Sequence, residues 1–223
     1  MSKLILLRHF QSQWNLENKF TGWVDVPLFK DSDNRAKEVF QKLSGFKIDK
    51  IYSSCLFRNK DSVAKILKEG DKYPIFIHLD KGRMRDWGTF KAESSYIPVY
   101  VSESLNERHY GQWQGRDKEE VKKEYGEDNF KLLRRSFSAR PPGGESLKGV
   151  FLRAVHFYRS YIEKDLKEEK NVLIVASHNC LRALSKYIEN ISDEDIVNFE
   201  IDIGKMLIYE FSSSLGIRGK ESF

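Results

Sequence analysis

Two histidines stand where an apolar run gives way to polar residues: His9 after KLILLR and His178 after NVLIVAS. A neutral imidazole can attack phosphorus and carry it as phosphohistidine. The ring must then be unprotonated near pH 7, and clustered arginines favour this because nearby positive charge disfavours imidazolium. Arg8 adjoins His9, and Arg58 follows another strand-like segment. Guanidinium groups also pair with phosphate oxygens and stabilise charge in the transition state. An arginine beside the nucleophile, a second from a neighbouring strand end and a histidine opposite would make a phosphate pocket without a metal. Taken alone, an Arg-His dipeptide is only two exposed polar residues, so the rest of the chain has to decide.

The elements that must position these groups follow from the apolar pattern. Residues 3–7 form a continuous apolar run, as a buried parallel strand does. Residues 34–43 carry apolar side chains at helical spacing. Residues 50–52 read as a short strand leading into Ser53 and Ser54, a helix start before a helix over 56–67. Residues 171–176, NVLIVA, are the strongest strand, with a helix expected from Leu181. Residues 150–166 read as an amphipathic helix that core packing explains. This alternation predicts one α/β domain over residues 1–223, a three-layer sandwich with a mainly parallel sheet flanked by helices. In such sheets ligands bind beyond the carboxyl ends of the strands. Arg8 with His9, Ser53 and Ser54 with Arg58, and Ser177 with His178 should therefore converge. Residues 70–95 fit less well: an apolar stretch over 73–79 precedes charged residues with Trp87 and Phe90, which reads as an added hairpin, a lid or an interface arm.

Composition narrows the function classes. A chain of 223 residues with 40% hydrophobic residues can bury a sizeable core. No apolar run approaches the roughly 18–20 residues of a membrane span, and the N-terminal run is too short and too soon charged for a signal peptide. Cys55 and Cys180 are far apart, lack metal-ligand spacing and read as small buried residues in a cytoplasmic protein without disulfides. The net charge of +5 brings no nucleic-acid motif with it, so small anions are the better expected partners.

Longer motifs sharpen the reading. LLRHFQSQWNLENKFTGWVDVPL over residues 6–28 resembles the opening of the cofactor-dependent phosphoglycerate mutases of the histidine phosphatase superfamily. SLNERHYGQWQG over 104–115, RRSFSARPPGGESL over 134–147 and NCLRALSKYIENISDEDI over 179–196 continue the resemblance in order. It implies that His9 accepts and donates the phosphoryl group, that Arg8, Arg58 and His178 hold it, and that Glu107 is the general acid and base. A phosphate beside Glu107 should raise its pKa. The same resemblance assigns the substrate's carboxylate and second phosphate to Arg108, Lys118, Arg134 and Arg135. Ser12, Asn15, Thr21, Gly22 and Tyr110 would add neutral contacts, with Gln11 and Asn179 beside them. It further implies 2,3-bisphosphoglycerate as priming donor, no metal, a small phosphorylated carboxylate as substrate, no nucleic-acid or membrane partner, and a homodimer.

Two places depart from the pattern. Phe10 stands where the family has glycine after the nucleophile, which implies local repacking. Where the family reads Ala-Ala-His-Gly-Asn-Ser-Leu-Arg, this chain reads VASHNCLR, so Ser177 falls on the family's histidine and His178 on its glycine. His178 is expected to reach the phosphoryl group, with Ser177 as the fallback. A phosphatase of the same superfamily and a degraded anion-binding relative are the rival readings.

Overall fold

The computed structural model describes residues 1–88 and 95–223. Strands β1 (Ser2–Arg8), β2 (Lys50–Ser54), β3 (Tyr73–His78), β4 (Tyr96–Ser102), β5 (Val172–Ala176), β6 (Met206–Phe211) and β7 (Ile217–Ser222) form one sheet in the order β3-β4-β2-β5-β1-β6-β7. β3, β4, β2, β5 and β1 run parallel, and β6 and β7 close one edge antiparallel. Helices α1 (Gln13–Leu16), α2 (Asp33–Leu43), α3 (Phe57–Lys68), α4 (Arg83–Trp87), α5 (Lys118–Tyr125), α6 (Glu127–Arg135), α7 (Leu147–Phe157), α8 (Glu163–Lys167) and α9 (His178–Glu189) complete it.

The pleat sorts the core into two layers, because successive side chains of a strand point to opposite faces. Leu4, Leu6, Val172 and Ile174 pack on one face with Leu147, Val150 and Ala154 of α7 and with Leu181 and Leu184 of α9. Ile5, Leu7, Leu173 and Val175 pack on the other with Ala36, Val39 and Leu43 of α2 and with Val63 and Ile66 of α3. These side chains are essentially solvent-free, so each leucine, isoleucine and valine stabilises the fold by about 1.5–3 kcal/mol relative to exposure. The expected three-layer α/β sandwich is thus formed. A third cluster, Phe20, Trp113, Val121 and Phe130, lies beneath the loops around α5 and α6.

Several local expectations change. Ser53 and Ser54 do not start a helix: they end β2, and α3 begins at Phe57 with Leu56 as an N-cap that offers no side chain. The missing cap is supplied from a distance, since the Phe57 N–H donates to the Asp25 carboxylate. Residues 73–78 are not a hairpin or a lid but an edge strand parallel to β4. Trp87 is exposed in α4, and Phe90 lies outside the described residues. The expected single helix over 150–166 runs through a π-helical turn, Tyr158–Ile162, between α7 and α8. Cys180 is buried, Cys55 half-buried, and both are free thiols. No helix among the described residues is long and apolar enough to cross a membrane.

Candidate active site

The carboxyl ends of β1, β2 and β5 open on one cleft, as a parallel sheet dictates. Arg8 and His9 come from the end of β1, Arg58 from the first turn of α3, Glu107 and Tyr110 from the loop after β4, and His178 from the start of α9; all line the cleft. Asn15, Thr21, Gly22, Lys118 and Arg134 complete the expected set there.

His9 is nearly solvent-free, and its main-chain N–H donates to Ala176 at 3.1 Å, which ties β1 to β5. Its Nδ1 lies 2.6 Å from the Phe10 carbonyl oxygen. A carbonyl only accepts, so Nδ1 carries the proton and the lone pair is on Nε2. Burial, Arg58 and Arg8 together hold the pKa well below the ordinary histidine value, so the ring is neutral at pH 7. Phe10 itself has ordinary backbone angles, since no positive φ occurs there. Its ring packs into the core beside Leu7 and Val39, and its N–H donates to Ser62 Oγ at 3.0 Å. Gly204, with φ +70°, lies against that ring: an added Cβ would be in ordinary contact with Phe10 at 3.4 Å and crowd Arg35 at 3.1 Å.

The arginines are fixed by main-chain carbonyls. Arg58 donates to Gly22 at 2.8 Å and to Val24 at 3.1 Å, and Arg8 donates to Ile201 at 2.6 Å. Burial lowers both guanidinium pKa values, Arg58 to about 10, but both remain charged at neutral pH. Gly22, which lines the cleft, also has a structural reason to be glycine. With φ +56°, a Cβ there would lie 2.1 Å from Gln114 Oε1, the atom that accepts the Trp23 N–H at 2.9 Å.

Glu107 is buried against the first turn of α9. Its Oε1 accepts the N–H of Asn179 at 3.1 Å and of Arg108 at 2.7 Å. A carboxylate at a helix N-terminus is stabilised by the helix dipole. Burial pushes this carboxyl up, but His178, the Arg108 N–H, Arg58 and Asn179 outweigh it and hold it below the usual carboxylate range. The rise expected from sequence is for a site holding phosphate; in the protein alone, converging donors and cations hold the group low. Glu107 therefore rests as a base.

The altered second-histidine motif falls at a helix start. α9 starts at His178, three residues earlier than expected, with Ser177 as its extended N-cap. Ser177 is solvent-free, and its Oγ accepts from Asn59 Nδ2 at 3.0 Å, away from the cleft lining. His178 lines the cleft instead, and its Nε2 lies 2.9 Å from Glu200 Oε2 without the alignment of a hydrogen bond. Burial lowers its pKa to about 4, against the pull of Glu200. Glu200 is pushed up by burial, but His178, Arg135 and Arg182 bring it down to about 2.

The outer end of the cleft holds Lys118 and Arg134. Neither has a carboxylate partner among the described residues; Lys118 Nζ is 3.5 Å from Asn18 Oδ1, and Arg134 lies over the rings of Phe20 and Phe130. Burial first, then Arg134 and Arg8, lowers the Lys118 pKa to about 8. Thr21 Oγ1 is buried without a hydrogen bond among the described residues. A cleft rich in cations with an idle hydroxyl is built for a polyanion.

Five expected contacts lie off the cleft lining. Gln11 faces a separate hollow with Phe29 and Arg35. Ser12 is engaged in a capping box with Asn15, each side chain accepting the other's N–H at 3.2 and 3.1 Å. Arg108 donates to the carbonyls of Leu133 and Arg134 at the end of α6. Arg135 pairs with Glu200. Asn179 acts through others, offering its N–H to Glu107 and its Nδ2 to Tyr110 Oη at 3.0 Å. Conversely, Lys19 and Phe20 line the cleft although sequence reasoning passed over them. Both stood inside the first matched segment, which was signal enough. Arg182 likewise stood inside the fourth matched segment, whereas Glu200 carried no such signal, since its role depends on pairing across the fold.

This geometry agrees with the comparisons. The family model described as "Histidine phosphatase superfamily (branch 1)" matches residues 4–91 and 83–216. The chain belongs to the histidine phosphatase superfamily. It is 40% identical over 231 residues to the 2,3-bisphosphoglycerate-dependent phosphoglycerate mutase of Methanococcus vannielii, covering 100% of this chain and 98% of that one. It is 38% identical to the protein of the same name from Protochlamydia amoebophila, with 95% and 96% covered. Among solved structures, Bacillus stearothermophilus YhfR superposes with a TM-score of 0.74 at 22% identity, covering 98% of this chain and 95% of that one. A mycobacterial glucosyl-3-phosphoglycerate phosphatase reaches 0.74 at 21%, covering 100% and 98%. The likeness to these two structures bears on the fold.

Proposed function

We propose that this chain interconverts 2-phosphoglycerate and 3-phosphoglycerate by way of a phosphohistidine at His9. The observation that carries the reading is the Nε2 lone pair of His9, set in one cleft with Arg8, Arg58, His178 and Glu107. The relatives' name supplies the substrate class.

The chemistry follows from the atoms present. Nε2 of His9 attacks phosphorus, and the P–N bond forms as the P–O bond to the leaving oxygen breaks. Arg8, Arg58 and His178 surround the non-bridging oxygens, where charge builds in the transition state. Glu107 gives a proton to the leaving oxygen in one direction and takes it from the attacking hydroxyl in the other. Its resting carboxylate suits the second role first, when the phosphoenzyme meets a monophosphate. 2,3-Bisphosphoglycerate, when bound, supplies the phosphoryl group that primes His9. Lys118, Arg134 and Thr21, lacking anionic partners, suit its second phosphate and carboxylate. The same reading carries a single-domain, cytoplasmic homodimer that needs no metal.

The test is incubation with 2,3-bisphosphoglycerate labelled in phosphate, followed by an isomerisation assay with chelator present. Acid-labile label on His9 that passes to monophosphoglycerate is expected, and His9→Ala should carry none. Label passing only to water would make the protein a phosphatase. A folded protein that takes up no label would be an anion binder.

A further inference from the structure

Glu200 belongs to no motif that pointed to the site, yet its carboxylate joins two of the site's groups. Oε1 pairs with Arg135 at the end of α6, and Oε2 lies 2.9 Å from Nε2 of His178. Its main chain is anchored on both sides by arginines. Arg182 Nε donates to the Phe199 carbonyl at 3.0 Å, and Arg8 donates to the Ile201 carbonyl at 2.6 Å. The carboxylate therefore stands on an anchored segment, about half exposed, against a nearly enclosed His178. His178 Nε2 is buried without an aligned hydrogen-bond partner among the described residues, and Glu200 Oε2 stands 2.9 Å from it.

This arrangement addresses the displaced histidine. Its imidazole stands on the first residue of α9, where rotation about the side-chain bonds could swing the ring out of the cleft. We propose that Glu200 is a positioning residue that holds Nε2 of His178 so that the ring faces the phosphoryl group, and that it occupies Arg135 until an anionic substrate competes for it. The first half preorganises an electrostatic contact, and a ring misplaced by about 1 Å can lower turnover some 100-fold. The second half weakens binding, because the substrate must displace an internal carboxylate. This proposal rests on His9 as phosphoryl acceptor.

The two halves predict opposite effects in one variant, which general structural damage would not give. In Glu200→Gln, kcat for isomerisation should fall about tenfold or more while KM stays level or falls. Glu200→Asp, which keeps the charge, should restore most of kcat. In a His178→Ala background, Glu200→Gln should add no further loss, since the two act as a unit. Unchanged kcat in Glu200→Gln, additive losses in the double variant, or a drop in both kcat and affinity that Asp fails to rescue would overturn the proposal. If the wild-type protein is labelled by 2,3-bisphosphoglycerate but does not isomerise, the mutase reading fails separately. The rate of His9 labelling in Glu200→Gln then carries the test, and an unchanged rate would overturn the proposal.

Discussion

His9 donates its Nδ1 proton to the carbonyl oxygen of Phe10 at 2.6 Å, so the nucleophile is oriented by the main chain of the residue that follows it. The side chain at position 10 is free to do something else, and here it fills the core. Phe10→Gly should therefore leave His9 labelling largely intact but remove a buried aromatic ring. Loss of such a ring typically destabilises by about 3–5 kcal/mol. Urea unfolding read beside the labelling rate checks this. A Gly variant as stable as wild type and faster in phosphorylation would contradict the packing account.

Ser177 and His178 should separate cleanly. His178→Ala removes a donor from the transition state and is expected to slow His9 phosphorylation about 100–1000-fold. Ser177→Ala leaves Asn59 Nδ2 short of one acceptor, which predicts a stability loss of about 1–3 kcal/mol with little change in rate. Single-turnover labelling with thermal melts distinguishes them. The reverse pattern would assign the phosphoryl contact to Ser177.

Lys118 should make substrate binding pH-dependent on the alkaline side. Its pKa, lowered to about 8 chiefly by burial and then by Arg134 and Arg8, leaves it charged below that pH and neutral above it. An anionic substrate binds the charged form, so KM should rise as pH climbs past about 8, displaced upward to the degree that substrate stabilises the charge. Lys118→Gln should bind more weakly and lose this rise. A KM profile unchanged by Lys118→Gln between pH 7 and 9.5 would remove the lysine from the binding account.

Acid stability follows from the two buried imidazoles. Both His9 and His178 have folded pKa values below the ordinary 6.5, chiefly by burial, so the unfolded chain takes up protons first as pH falls. By linkage, stability is full above about 6.5 and drains as pH drops, for His178 until about 4. Glu200 works in a lower window, from 4.5 down to about 2, because its folded pKa is depressed. Urea midpoints across pH 4–7.5 should show His178→Gln with a shallower slope than wild type. Equal slopes would mean the ring is charged or solvated in the fold.

Much of this was legible because it is local. β1 and β5 are continuous apolar runs, and a parallel sheet sends their ends to one side; hence Arg8, His9 and His178 meet. The matched motifs also placed Glu107, Lys118 and Arg134 in the cleft. What escaped depends on partners distant in sequence. Neither the box that ties Ser12 to Asn15 nor the α6 carbonyls that hold Arg108 is marked by any local pattern. The start of α9 was misjudged because the extended Ser177 provides no side-chain cap to mark it. β3 was obscured because an edge strand whose side chains are only partly buried lacks the strong pattern of β1.

The cleft's outer wall has its own mechanical character. Phe20 donates its N–H to the Arg116 carbonyl at 3.0 Å, Gly115 donates to Phe20 at 2.8 Å, and Lys118 donates to Asn18 at 3.0 Å. Segments about a hundred residues apart in sequence are thereby stitched into a miniature ribbon, with Phe20 nailed into the aromatic cluster beneath. The wall that carries Lys19, Phe20 and Thr21 is thus sewn from two distant stretches of the chain at once.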